Sequence, residues 1–286
     1  MRDRWPSVMP ASTQVAGLLA RVLRDALLPL FVALLLVVFL ADPERLDTSE
    51  LLRNSLLMNT RPLLRELTPL DAILNSALLL VTAIVGAIAI GVPAGILYGW
   101  SNNRPLKALA WSVSTFAASL PAFFWAVALE LLMVFIFFRF GLRFLPIAGF
   151  GIDEHLILPS LALGLRPAAY IFRLTGTAVA EIRHTDYVRA AIAKGLPDRS
   201  LLARHVLPNA GPNIIAATLL GSRGALSSLV IVEFVYIWDG AGLVFVQALG
   251  GGQLGIASAV ALAFAVGSTL LVLSGELVRA RLRVAP

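Results

Sequence analysis

Five charged side chains lie within or near the ends of long apolar segments, where ionic groups are rare. They are Glu130, Arg166, Arg173, Arg223 and Glu233. A charge inside a bilayer costs at least about 2.5 kcal/mol on insertion scales, so each one needs an opposite charge, water or an ionic ligand. Arg166 and Arg173 are seven residues apart and share one face of a helix. Arg166 predicts either a structural ion pair with Glu130 or a contact with a ligand carboxylate.

Sequence motifs for catalysis or cofactor binding are absent. No G-x4-G-K-[ST] phosphate loop and no G-x-S-x-G elbow occur, and His155, His184 and His205 are too dispersed for an H-E-x-x-H metal site. The chain has no cysteine, which excludes disulfides, zinc–thiolate sites, iron–sulfur clusters and thiol catalysis. We therefore expect no enzymatic activity and no cofactor or metal in this chain.

A polar, basic stretch over residues 181–212, here called the basic hairpin, lies between apolar segments. A first helix over 182–194 should stop there, because Gly195 followed by Pro197 is a stop signal. A second helix should start near Pro197, and Pro208 is expected to break it. Two short helices with a sharp corner would suit docking to a soluble partner. An ordinary loop held inside the cell by its positive charge is the alternative.

The elements that must position these residues are membrane spans. Of 286 residues, 58% are hydrophobic and only 14% are charged, which is typical of an integral membrane protein. Continuous apolar runs favour helices over a transmembrane barrel, whose strands alternate over about 10 residues. Six spans are predicted: 26–41, 71–98, 109–138, 157–179, 212–238 and 254–277. The first is interpreted as an uncleaved anchor rather than a secretory signal, because no small-x-small cleavage site follows it.

Proline and glycine residues modify two of these spans. Pro121 should kink the third span, with either a packing role or a place beside a cavity. The second span carries small residues at regular intervals, which predict close contact with a neighbouring helix. These residues are Gly86, Gly91, Gly95 and Gly99.

The distribution of Lys and Arg around the six spans predicts their orientation. Fifteen of these residues fall on the side that holds both termini and the basic hairpin, and six fall on the other side. Positive residues accumulate on the cytoplasmic side of membrane proteins. Both termini and the basic hairpin are therefore expected in the cytoplasm.

Within the basic hairpin, the pattern R-A-A-x3-G-x9-H-x-L-P from Arg189 to Pro208 resembles the E-A-A-x3-G-x9-I-x-L-P loop of permease subunits in bacterial ABC importers. Arg189 and His205 replace Glu and Ile, as in the branch that imports dipeptides, oligopeptides or nickel. In that branch the loop is the coupling helix, which sits in a cleft of the cytoplasmic ATPase and transmits its closure. The resemblance assigns ATPase coupling to eight residues: Asp186, Tyr187, Val188, Arg189, Ala190, Ala191, Lys194 and Gly195.

Three further stretches are similar to the same branch: SLPAFF at 119–124, LPIAG at 145–149 and VEFVYIWDGAGL at 232–243. Asp239 stands where the family more often has proline, and the outer segment 42–70 is shorter than is usual in peptide-type permeases. The resemblance runs from about residue 68 to the C-terminus. It implies an all-α integral membrane fold with six transmembrane helices, in which a type I, MetI-like core of five helices carries one extra N-terminal helix.

The resemblance implies that the chain is the permease subunit of an ATP-driven importer in the bacterial cytoplasmic (inner) membrane. Peptides are the expected substrates, with nickel or another small solute as the alternative. The implied partners are a second permease of like fold, two cytoplasmic ATPase subunits, an extracytoplasmic solute-binding protein and membrane lipid. ATP and Mg would be bound by the ATPase, and the net charge of +6 reflects topology rather than nucleic-acid binding.

An ion-driven secondary transporter is the rival from another class. It would need inverted repeats and paired acidic groups at mid-membrane, and we find no such repeat in the sequence. For an importer permease, the expected domains are a cytoplasmic N-terminus (1–25), an anchor with an outer amphipathic segment (26–70) and a permease domain (71–286). Its translocation path is expected to include Glu130, Arg166 and Glu233.

Overall fold

The computed structural model describes residues 68–284, and within that range the secondary structure is helical, with no β-strand. The α-helices are α1 Pro69–Trp100, α2 Arg104–Ser119, α3 Ala122–Phe140, α4 Ile157–Arg183, α5 Asp186–Ala193, α6 Asp198–Leu201, α7 Leu207–Tyr236, α8 Ala241–Gly250 and α9 Leu254–Val284. A 3₁₀ turn, Glu154–Leu156, precedes α4, and a π-helical segment, Leu202–Val206, joins α6 to α7. The predicted anchor at 26–41 and nearly all of the outer segment lie outside the described residues.

Five helical stretches in the described range are long and apolar enough to cross a membrane. They are Pro69–Trp100, Ala122–Phe140, Glu154–Arg183, Asp198–Tyr236 and Leu254–Gly275. Their number agrees with the predicted core of five helices. The second, fourth and sixth predicted spans are confirmed to within a few residues, except that the sixth helix continues to Val284.

The third predicted span, 109–138, is wrong as a single kinked helix. The structure has two helices, because α2 ends at Ser119 and α3 begins at Ala122. Leu120 and Pro121 are extended, with ψ angles of 137° and 155°, as expected when a proline disfavours the helical conformation of the residue before it. The indole Nε1 of Trp125 donates to Ala117 O at 3.2 Å and satisfies one carbonyl near the broken end.

The first helix of the basic hairpin is shorter than predicted. Its predicted start at Ile182 is wrong, because α4 continues to Arg183 and a separate helix, α5, begins at Asp186. The hydroxyl of Thr185 donates to Ile182 O at 2.6 Å, so this side chain bonds back to the preceding helix at the corner. The predicted end near Lys194 is confirmed, since α5 ends at Ala193.

The predicted helix break at Pro208 is also wrong. The chain is helical without interruption from Asp198 to Tyr236, so the fifth span begins well before its predicted start at Pro212. The π-helical segment explains the difference: Leu207 N donates to Leu202 O, and this wider turn accommodates the proline ring. The Asn209 amide also donates to His205 O at 2.7 Å.

Glycines bring α1 and α4 into backbone contact. A Cβ added to Gly91 would lie 2.8 Å from Ala168 O, and one added to Gly95 would lie 2.7 Å from Phe172 O. Gly99 makes the same kind of contact one turn further along. Gly86 has nothing within 4 Å of its added Cβ, so the predicted packing role is confirmed for three of the four glycines.

The largest core cluster joins α1, α3, α4 and α7. Tyr236 and Trp238 are fully buried in it. The Tyr236 hydroxyl donates to Ala126 O at 3.1 Å, and the Trp238 indole donates to Asn75 O at 3.2 Å. The loop after α3 is attached at the same place, because Gly149 N donates to Tyr236 O at 2.8 Å.

Candidate functional site

Helix α5, the start of the basic hairpin, has one buried and one exposed face. Val188 is fully buried, and Ala191 is 6% exposed. The other six residues predicted for coupling are exposed: Asp186, Tyr187, Arg189, Ala190, Lys194 and Gly195. The structure therefore divides the eight predicted residues into two that anchor the helix and six that a partner could contact.

The buried face of α5 packs against the ends of three long helices. Val188 belongs to a cluster with Val179 of α4 and Ala210 of α7, and Trp100 of α1 packs against it. The Tyr187 hydroxyl also donates to His205 O at 3.4 Å. A displacement of α5 would therefore act directly on α1, α4 and α7.

Gly195 forms the corner after α5 with a φ of +77°, a conformation that L side chains rarely adopt. Its N–H donates to Ile192 O at 2.9 Å, and Leu196 N donates to Ala191 O at 3.4 Å. Nothing lies within 4 Å of an added Cβ, so the requirement for glycine is conformational rather than steric. This corner ends α5 and directs the chain into α6.

Among residues 68–284, the charges on the exposed face of α5 have few partners. Arg189 and Asp186 are 3.8 Å apart, and both side chains are mostly exposed. Such a surface pair is worth about 0 to 1 kcal/mol, so it competes little with an outside ligand. The face presents Arg189 and Lys194 as accessible positive charges.

Arg166 is a half-buried cation on a membrane span without an ion pair among residues 68–284. Its Nε atom is buried and has no hydrogen-bond partner there. The guanidinium carbon lies 5.9 Å from the centre of the Tyr170 ring. The predicted pair with Glu130 is not formed in this structure, so the guanidinium keeps its capacity to bind an anion.

The other two cations in the spans differ from each other in their contacts. The guanidinium of Arg173 lies 4.4 Å from the ring centre of Trp111, a cation–π contact between α4 and α2. Arg223 is half-buried and has no ion pair in the described part of the chain.

Glu233 is fully buried, and its carboxylate caps the N-terminus of α8. Its Oε2 accepts hydrogen bonds from Gly242 N at 2.6 Å and Leu243 N at 3.3 Å, and its Oε1 accepts one from the Ser76 hydroxyl at 2.5 Å. A carboxylate at a helix N-terminus satisfies free N–H groups and interacts favourably with the helix dipole. Within the described residues, Glu233 therefore occupies a packing contact between α1, α7 and α8 rather than an open cavity.

Sequence reasoning missed both Ser76 and helix α8 at this contact. Ser76 accepts from Ala241 N at 2.8 Å, so it bonds both the carboxylate and the helix that the carboxylate caps. A single serine in an apolar span has no distinguishing sequence signal. The start of α8 did have a sequence signal, which is the pair of glycines in the VEFVYIWDGAGL stretch. Glycine is needed there because a Cβ added at Gly240 would contact the Glu233 carboxylate.

Asp239 follows Glu233 outside the membrane-spanning helix. Partial burial raises the pKa of its carboxyl above the usual value. Its backbone carbonyl accepts from the Asn75 amide at 2.7 Å, which connects this corner to α1. Asp239, which replaces the more usual proline, is therefore fixed to α1 through its backbone carbonyl rather than through its side chain.

A family model described as "Binding-protein-dependent transport system inner membrane component" matches residues 91–284. The glutathione transport system permease protein of Escherichia coli K12 is 32% identical over 171 residues, which cover 60% of this chain and 54% of that protein. A dipeptide transport system permease protein of Alkalihalophilus pseudofirmus is 28% identical over 216 residues, 68% of this chain and 64% of that protein. The chain thus spans little more than half the length of the first of these curated relatives.

Among solved structures, the methionine ABC transporter MetNI in inward-facing conformations contains a chain of similar fold. The TM-score is 0.61 at 17% sequence identity, with 74% of this chain and 95% of that chain covered. At this identity the likeness concerns the fold alone. The predicted MetI-like core of membrane-spanning helices is confirmed by it.

Proposed function

Because the chain belongs to the family of binding-protein-dependent transport system inner membrane components, we propose that it is the membrane-spanning permease subunit of an ATP-driven importer. Membership makes it a multi-pass inner membrane protein, in keeping with its five membrane-capable helices. It also makes the chain a non-catalytic component, so ATP hydrolysis belongs to a separate subunit.

One observation carries the proposal: the division of α5 into a buried and an exposed face. Val188 and Ala191 fix the helix to the spans, while Arg189 and Lys194 are exposed for an ATPase surface. A helix that is packed on one side and charged on the other can bind a soluble partner and transmit its movement. The proposed assembly contains two ATPase subunits, a second permease of like fold and an extracytoplasmic solute-binding protein.

Peptides are the proposed substrates. The two relatives described above are named for glutathione and dipeptide transport, and both compounds contain peptide bonds and free carboxylates. Neither name favours nickel, the alternative that the sequence left open. The solute-binding protein would deliver the peptide to the outer side of the permease.

The proposed mechanism is alternating access driven from the basic hairpin. The excess of Lys and Arg on one side of the spans supports a cytoplasmic hairpin and cytoplasmic termini. Closure of the ATPase would push α5, and its packing against α1, α4 and α7 would turn this push into a movement of those spans. Residues 71–286 would act together as the permease domain.

For the path itself, we propose that Arg166 and Glu130 border the route of the peptide. Arg166 has no ion pair among the described residues, which leaves its guanidinium free for a peptide carboxylate. Glu233 would support the outer part of the path indirectly, because it holds α8 against α1 and α7.

The test is copurification combined with uptake. We expect a tagged chain to bring down an ATPase, and vesicles containing the complete assembly to accumulate labelled L-alanyl-L-alanine only when ATP is supplied. Arg189→Glu should weaken ATPase copurification, whereas Arg104→Glu, an equal charge change on exposed α2, should not. Uptake that persists without ATP, or a chain that never brings down an ATPase, would overturn the importer assignment.

A further inference from the structure

Arg183 ends α4 two residues before Thr185, the residue at the N-terminus of α5. Its Nη1 donates to Trp100 O at 2.5 Å and to Asn102 Oδ1 at 3.0 Å. The guanidinium also lies 4.8 Å from the ring centre of Trp100. All three contacts join Arg183 to the C-terminal end of α1 and the turn that follows it.

The chemistry of these contacts suits a fixed attachment. Trp100 O is the last carbonyl of α1 and has no partner inside that helix. A cation at a helix C-terminus bonds such a carbonyl and interacts favourably with the helix dipole. Arg183 has no ion pair within residues 68–284, so these contacts account for its polar interactions there.

The turn that Arg183 contacts leads directly into α2. Residues 101–103 connect α1 to α2, and Asn103 caps α2 by accepting from Leu106 N at 3.2 Å. Asn102, which Arg183 contacts, is the neighbour of that cap. Arg183 is therefore connected to the start of α2 through Asn102 and Asn103.

Helix α2 has few other attachments. Ser114 is its one buried residue. Its other contacts include the Arg173 guanidinium of α4, which lies 4.4 Å from the Trp111 ring centre, and the Trp125 indole of α3, which donates to Ala117 O at 3.2 Å. The Lys107 amine and the Trp111 ring also lie 4.7 Å and 6.0 Å from the ring centre of Tyr98. By contrast, α1 and α4 are in backbone contact through Gly91, Gly95 and Gly99 and do not need Arg183 to stay together.

We propose that Arg183 is a positioning residue that links the basic hairpin to the α1–α2 turn, so that a displacement of α5 also moves α2. This inference deepens the proposed function and rests on it. Without Arg183, the hairpin would still act on α1, α4 and α7 through the cluster around Val188. Helix α2 would then follow only through its side-chain contacts with the spans, such as that between Arg173 and Trp111, and its movement would be less closely tied to that of α5. The predicted defect is a loss of coupling rather than a loss of assembly.

The first test measures coupling in the complete importer in proteoliposomes. Uptake of labelled L-alanyl-L-alanine and ATP hydrolysis are recorded together for Arg183→Gln, Arg183→Lys and the control Arg104→Gln, whose side chain is exposed in the first turn of α2. We expect the ratio of uptake to hydrolysis to fall about two- to thirty-fold in Arg183→Gln, the range typical of coupling residues. Arg183→Lys should recover part of the ratio, and Arg104→Gln should keep it.

A second test does not depend on transport. Because the chain contains no cysteine, Leu109→Cys on α2 and His184→Cys in the basic hairpin place two spin labels at defined, exposed positions. Their distance distribution is measured in the assembled importer, with the other subunits free of reactive thiols, in the presence and absence of Arg183→Gln. We expect a narrow distribution in the parent and a broader one in the variant.

The two tests separate the possible failures. If the parent importer takes up no peptide, the proposed function fails and the label distances still decide the role of Arg183. If Arg183→Gln leaves the distance distribution unchanged, the link between hairpin and α2 is overturned. The same holds if its uptake-to-hydrolysis ratio matches that of Arg104→Gln.

Discussion

Ser76 and Glu233 are 157 residues apart in the chain, and their side chains meet at 2.5 Å where α1, α7 and α8 converge. The serine hydroxyl donates to the carboxylate and accepts from Ala241 N, while the carboxylate accepts two further N–H groups of α8. Each polar atom of this buried contact thus has a partner. A short helix without a side-chain cap of its own is held by one acid from α7 and one hydroxyl from α1.

Ser76→Ala should destabilise the protein by about 1–3 kcal/mol, because it leaves a buried carboxylate oxygen and the N–H of Ala241 without partners. Thermal unfolding in detergent, followed by circular dichroism, measures the effect. Ser227→Ala is the matched control, since the Ser227 hydroxyl is exposed and bonds only within its own helix. Equal melting temperatures for the two variants would contradict the role of Ser76.

Gly95→Ala should destabilise the packing of α1 on α4 by about 1–3 kcal/mol, the usual cost of overpacking. The added methyl would lie 2.7 Å from Phe172 O, and a backbone atom cannot rotate away. Gly86→Ala adds the same methyl to the same helix with nothing within 4 Å, so its stability should stay within about 0.5 kcal/mol of the parent. Unfolding of both variants in one detergent tests this difference.

Gly195→Val should disturb the corner of the basic hairpin while the spans stay inserted. A side chain at a φ of +77° costs about 1–2 kcal/mol, and a β-branched one is least tolerated. We expect faster hydrogen exchange over residues 186–196 and a lower ratio of uptake to ATP hydrolysis. Gly211→Val, in a helical position with nothing within 4 Å, is the control and should change neither quantity appreciably.

Arg166→Leu should lower peptide uptake without lowering stability. The change removes an unpaired charge whose insertion costs at least about 2.5 kcal/mol, so the melting temperature should stay the same or rise. Arg166→Lys, which keeps the positive charge, should retain more uptake than Arg166→Leu. Uptake that is unchanged in Arg166→Leu would exclude a peptide contact at this residue.

Most of the spans could be predicted because hydropathy and length depend on the chain alone. An apolar run of about 20 residues has few stable alternatives in a bilayer, since its backbone polar groups must bond within the helix. The glycine spacing in α1 likewise indicated a close helix contact from the sequence alone, although it did not identify α4 as the partner helix. The charge count predicted an orientation that awaits experiment.

Two prolines show what could not be predicted. Pro121 separates α2 from α3, whereas Pro208 lies inside a continuous helix. The preceding residue is leucine in both cases, so local sequence does not distinguish them. The difference lies in the π-helical turn before Pro208 and in the Asn209 amide that bonds His205 O, neither of which a proline rule anticipates.

The candidate site was predicted unevenly. The residues of α5 were predicted for coupling because their spacing resembles a known loop, and the structure shows that six of the eight are exposed. Ser76, Arg183 and Trp100 were missed, because each acquires its role from a residue far away in sequence. The predicted ion pair between Arg166 and Glu130 was wrong, because two opposite charges in the sequence need not lie within reach of each other in space.

The uninterrupted helix that runs through Pro208 has a consequence for the height of the basic hairpin above the lipid. Its 39 residues rise about 1.5 Å each and measure about 58 Å, and even a tilt of about 20° leaves about 55 Å along the membrane normal. A bilayer with its headgroups is about 40–45 Å thick. The helix is therefore longer than the membrane is thick by about 10 Å or more, so one of its ends must project beyond the headgroups. If that end is the one near Asp198, a soluble protein would reach α5 without displacing lipid.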